Sequence, residues 1–119
     1  MISPEVRERL QRLLNILKGS TLDGKIRWER LDGQVFEASA QRASFTIRPR
    51  DGDGIEPFVL DMYDSHGTLV TSILTSDDEY PDIIRGQIRE LYVLISTSAA
   101  QIVTYLDGVI SDLEDRPPF

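Results

Sequence analysis

One feature narrows the fold of this chain more than any other. From Ile84 to Leu113, apolar side chains recur at 84, 88, 91, 95, 99, 102, 106, 109 and 113. Eight steps cover 29 residues, a mean of about 3.6, which is the turn of a straight α-helix and not the 3.5 of a coiled coil. The spacing predicts one long helix lying on a surface. At 1.5 Å per residue it would be roughly 50 Å long, against about 20 Å for a six-residue strand. Such a helix must overhang its own sheet, break, or find another partner, and Ser96-Thr97-Ser98 offers a weak place for a break. The Ser76-Asp77-Asp78-Glu79 sequence has capping-box spacing and predicts a helix start between 77 and 81, with Pro81 inside the first turn.

A second helical stripe opens the chain. Ser3-Pro4 supplies a cap oxygen and a first-turn proline. Val6, Leu10, Leu13, Leu14 and Leu17 follow on one face, and Gly19 predicts the stop, giving a helix over about 4–18. Between the two helices the period changes from 3.6 to 2. Ile26/Trp28, Phe36/Ala38/Ala40, Ala43/Phe45/Ile47 and Phe58/Leu60/Met62 alternate with polar neighbours, and Leu69–Leu74 is apolar on both faces. Asp32-Gly33, Asp51–Gly54 and Asp64–Gly67 are turn signals. The expected fold is α+β: an N-terminal helix, a five-stranded antiparallel β-meander with one wet face, and a long C-terminal helix packed on one sheet face. A single domain is expected over 1–115, with a tail at 116–119. The expected core is Leu13, Leu17, Trp28, Phe36, Phe45, Leu60, Met62, Leu91, Ile95 and Ile102.

This order of elements resembles small bacterial α–β-meander–α domains of uncharacterised function. The likeness rests on Trp28 with Phe36, on VLDMYDSHGTLVTSI at 59–73 and on LYVLISTSAAQIVTYLDGVISDLE at 91–114. These motifs are structural: a tyrosine-bearing strand, a glycine turn and a closing helix. The resemblance implies the fold and carries no catalytic residue.

Composition removes several kinds of chemistry. The chain has 119 residues and no cysteine, so disulfides, thiolate metal sites and cysteine nucleophiles are excluded. Neither a secretory signal nor a membrane span is expected, and the expected location is the cytoplasm. The one histidine, His66, falls in an expected hairpin turn. There is no nucleophile elbow, no phosphate-cradling glycine loop and no complete calcium loop at Asp51–Glu56. The acids at 77, 78, 79 and 82 are explained by a helix start. The expectation is a non-enzyme with no metal and no cofactor.

Charge is divided unevenly. Residues 1–50 carry ten Lys/Arg against six Asp/Glu, whereas residues 51–119 carry three against fourteen. Either the halves pair internally or the molecule has two surfaces of opposite sign. If Ile26, Trp28, Phe45 and Ile47 face the core, alternation places Lys25, Arg27, Arg42, Arg48 and Arg50 on the other sheet face, with Tyr63 beside them. That set is a candidate partner-binding face, paired in part with Glu29, Glu37 and Asp61. Arginine beside an aromatic ring on an open sheet is also the physics of single-strand binding, but an isoelectric point near 4.6 disfavours nucleic acid. The second candidate is the end of the long helix. Ile102, Leu106, Val109, Ile110 and Leu113 continue the apolar row past any short sheet, and a contiguous apolar strip in water needs cover. The expected function is a protein-interaction module, acting as a homodimer or on a larger protein.

Overall fold

The computed structural model describes residues 2–52, 55–97 and 99–115, and for 99–104 the backbone alone. Helix α1 (Pro4–Leu22) is followed by strands β1 (Glu29–Asp32), β2 (Val35–Ser39), β3 (Ala43–Pro49), β4 (Phe58–Asp64) and β5 (Leu69–Leu74), then helices α2 (Asp82–Thr97) and α3 (Ala99–Asp115). The five strands pair antiparallel in sequence order. This is the expected α+β meander between helices.

Helix α1 starts as its sequence dictates, with the Val6 N–H donating to Ser3 Oγ at 3.2 Å and Pro4 in the first turn. It does not stop at Gly19. The indole N–H of Trp28 donates to Thr21 Oγ1 at 2.9 Å, and the Thr21 hydroxyl donates to the Leu17 carbonyl at 2.7 Å. These buried bonds hold one further turn in helical form, and the chain leaves the helix through Gly24 at φ 71°, a left-handed conformation that glycine adopts without penalty. The same contact explains why the first strand begins later than expected. Trp28 is turned in against α1, so residues 25–28 form a connection and β1 starts at Glu29.

Helix α2 begins at Asp82, just beyond the expected window. The acids before it do not cap it. The Glu79 N–H donates to Asp77 Oδ1 at 2.9 Å, which closes a turn, and Ile84 and Arg85 donate to the Pro81 carbonyl. The long C-terminal helix runs to Thr97 as α2 and from Ala99 as α3; Ser98, in the weak place for a break, lies outside the described residues.

One sheet face and two helices make the core. In-register pairs Phe36–Ile47, Ala38–Phe45, Phe45–Met62, Ile47–Leu60 and Leu60–Ile73 present their side chains to Leu14 and Leu17 of α1 and to Ile84, Ile88, Leu91 and Ile95 of α2. Each large apolar group removed from water contributes roughly 1.5–3 kcal/mol. Tyr92 stacks on Phe58 at 4.3 Å and meets Phe36 edge-on at 5.9 Å. Of the expected core, Leu13 is only partly buried, and the Ile102 side chain is not among those described. The remainder is buried.

The two packed helices run side by side in the same direction. Lys18 Nζ meets Glu90 Oε2 at 3.0 Å, and Gln87 Nε2 donates to Asn15 Oδ1 at 3.0 Å. Helix α1 therefore ends level with the last turn of α2, and α3 lies beyond it in sequence. The molecule measures 63 × 30 × 25 Å with a radius of gyration of 16.0 Å, larger than the roughly 13.5 Å of a compact chain this long.

Candidate functional site

The open sheet face carries a polar row. Glu29, Glu37, Thr46, Asp61 and Ser72 lie opposite one another across the five strands. The Thr46 hydroxyl donates to Asp61 Oδ2 at 3.4 Å, and Arg48 stands 3.9 Å from the same oxygen. Val59 sits in register between Arg48 and Leu74 and is buried although the helices lie on the other side.

The basic residues expected on this face are not brought together. Lys25 and Arg27 are exposed in the connection between α1 and β1, off the sheet, because Trp28 is drawn to α1. Arg42 is exposed in the turn before β3. Arg50 lies in the turn after β3, with Nε 3.4 Å from Asp51 Oδ1. Only Arg48 and Tyr63 occupy the open face. Tyr63 pairs with Ser44 and Arg48 with Val59, which sets them four positions apart along the strands, about 13 Å. His66 is exposed in the β4–β5 turn, its backbone N–H bonded to Asp64. Asp78 and Asp82 both meet Arg85. Arg89 meets Glu56, a partner of the buried Thr75 hydroxyl. These pairs fasten the ends of the sheet to α2. Among the described residues, no group of three or more acids and histidines has the geometry to hold a metal.

Helix α3 is different. Every described side chain from Tyr105 to Asp115 is exposed. Tyr105, Leu106, Val109, Ile110 and Leu113 are among them, at 36–69% exposure, and at these positions they form one stripe. Four of the five expected self-association residues thus stand in water on one helical face; the fifth, Ile102, belongs to the same row by position but its side chain is not described. Soluble monomers rarely leave a contiguous apolar strip of this kind in water.

Two further signals in this segment escape a whole-row average. From Ala99 the apolar steps are 3, 4, 3 and 4 residues, to Ile102, Leu106, Val109 and Leu113, a mean of 3.5, the period of a helix-to-helix seam. From Ile84 to Ala99 the steps are 4, 3, 4 and 4. In addition, α3 contains Asp107, Asp112, Glu114 and Asp115 and no Lys or Arg. Three of these acids sit in the last turns, where the helix dipole is least favourable to negative charge.

Comparison with protein-family models, curated proteins and solved structures finds no match. No helix among the described residues is long and apolar enough to cross a membrane.

Proposed function

We propose that this chain is a non-catalytic protein-interaction module, with α3 as its docking element, and that it acts through self-association or on a larger protein. The observation that carries the reading is the α3 stripe: large apolar side chains held in water on one face of a helix that follows a well-packed body. The open sheet face supports a binding role less well, because its cations are dispersed and its central carboxylate already faces Arg48.

Leu106→Asp tests the reading. Sedimentation equilibrium of the wild type, and native mass spectrometry of protein purified from its host, define the assembly. The substitution is expected to dissociate that assembly while the far-ultraviolet circular dichroism of the body and its cooperative melt persist. If Leu106→Asp instead unfolds a monomeric chain, the row belongs to the internal core and the proposal is wrong.

A further inference from the structure

The reading of α3 as a docking element leaves open what covers it, and charge narrows the choice. Among the described residues, none of the four α3 carboxylates takes part in an ion pair, and neither do Arg9 and Arg12 of α1. Arg9, Arg12, Leu13 and Ile16 fall at i, i+3, i+4 and i+7, one face of α1. Both arginines and Ile16 are exposed and Leu13 is partly buried. Helix α1 thus carries a basic apolar face beside the one it gives to the core, and the apolar stripe of α3 is flanked on one side by Asp112, on a helix with no cation of its own.

The levels of the helices decide how two such faces can meet. Lys18 lies beside Glu90 and Asn15 beside Gln87, an offset of 72 residues in both pairs. With α3 continuing α2 in line, the arrangement that the 63 Å length of the molecule supports, a two-fold axis perpendicular to the helices and level with the α2–α3 junction lays α3 of one copy antiparallel along α1 of the other. Helix residues advance by the same 1.5 Å in both copies, so the offset and the level of the axis together set the register. Asp112 comes level with Arg12, on the same flank of the paired faces, and Val109 and Ile110 with Leu13 and Ile16. The acidic end of α3 then lies near the N-terminus of α1, where the helix dipole favours negative charge. The 17 residues of α3 and 19 of α1 also match in length. A parallel pairing of two α3 helices would instead set four acids against four.

We infer that the occupant of α3 is a second copy of this chain, seated reciprocally so that each α3 packs its apolar stripe on the partner's α1 with an Asp112–Arg12 contact beside it. A closed two-fold arrangement uses both faces twice and leaves neither row in water.

This rests on α3 as the docking element, and a charge exchange separates the two ideas. Two variants of the full chain are made, Asp112→Lys and Arg12→Glu. Both positions are exposed, so circular dichroism is expected to be unchanged. Sedimentation equilibrium at low salt should show a wild-type dimer and a dissociation constant raised about tenfold or more in each variant. Mixed one to one, the variants should recover a dimer of wild-type affinity, because both of its interfaces again join opposite charges. A wild type that stays monomeric overturns the proposal. So does a dimer indifferent to both reversals, or variants that weaken association but fail to restore it when mixed. If Leu106→Asp still dissociates an assembly in those cases, α3 remains the docking element and only its seating on α1 is wrong.

Discussion

Helices α2 and α3 share one apolar row and meet opposite fates. Ile84, Ile88, Leu91 and Ile95 are at most 1% exposed, whereas Leu106, Val109, Ile110 and Leu113 are at least 36% exposed. Hydropathy does not separate the two segments. What separates them is the reach of the body: α1 and the sheet lie alongside α2 and leave the described side chains of α3, from Tyr105 on, uncovered. The difference teaches that periodicity reports which face of a helix wants burial, and that only the lengths of neighbouring elements say whether the same chain can provide it. The α3 half also departs in period and in charge, and both departures suit a helix partner better than a sheet.

The strongest test of this contrast places one charge in each half. Ile88→Asp buries an unpaired carboxylate in the core, which costs more than a small domain can spare; circular dichroism should show an unfolded chain. Leu106→Asp should leave the body folded. Equal damage from the two would erase the distinction between the helices. Next in size is Trp28→Ala, which empties a core site and removes the donor that holds the last turn of α1. A loss of about 3–5 kcal/mol is expected, seen as a melting temperature at least about 10 °C lower. A change under about 5 °C would take Trp28 out of the core and leave the late end of α1 unexplained.

Smaller effects sharpen the picture. The Tyr92 hydroxyl donates to Gln34 Oε1 at 2.9 Å, and burial raises its pKa while Arg30 partly opposes the rise. The unfolded chain therefore gives up this proton at lower pH than the folded one. The neutral phenol stabilises the fold fully below about pH 10, the ordinary tyrosine value, and that stabilisation is lost as pH rises through the folded value. Tyr92→Phe should cost about 1 kcal/mol at neutral pH and lose this part of the alkaline decline, as denaturant titrations across that range would reveal. The smallest pair is Ile88→Val against Val109→Ala. The first should cost about 0.5–1.5 kcal/mol, and the second under about 0.5 kcal/mol for the isolated monomer. A larger value for Val109→Ala would mean that α3 touches its own body.

Much of the fold is legible in the sequence. Alternation identifies β2, β3 and β4, the apolar run between turn signals identifies β5, and the Ser3-Pro4 start and the apolar row identify the helices, because these signals are local and each agrees with the packing it leads to. The errors came from contacts between residues distant in period. Gly19 reads as a stop, but a bond between Trp28 and Thr21 carries the helix past it. That bond also pulls Lys25 and Arg27 off the sheet, so the basic face anticipated from alternation disperses. Asp77–Glu79 reads as a capping box, but Asp77 closes its own turn first. That the apolar row through Leu106, Val109, Ile110 and Leu113 outruns a short sheet follows from length alone. Its acidic composition and tighter period were present in the sequence and hidden by averaging over the whole row.

The meander has a consequence for the order in which this molecule can be assembled. Each strand pairs with the next in the chain, so the sheet closes through short connections at little entropic cost. The junction of α1 with α2 is the long closure, joining Asn15 to Gln87 across 72 residues, and entropy makes such a closure expensive until the intervening chain is already compact. On a ribosome α1 emerges before the sheet and before α2, its helical packing partner. Leu14 and Leu17 must wait through the synthesis of the entire sheet to meet α2, and the earlier-made of the two core helices is the one whose burial completes the fold.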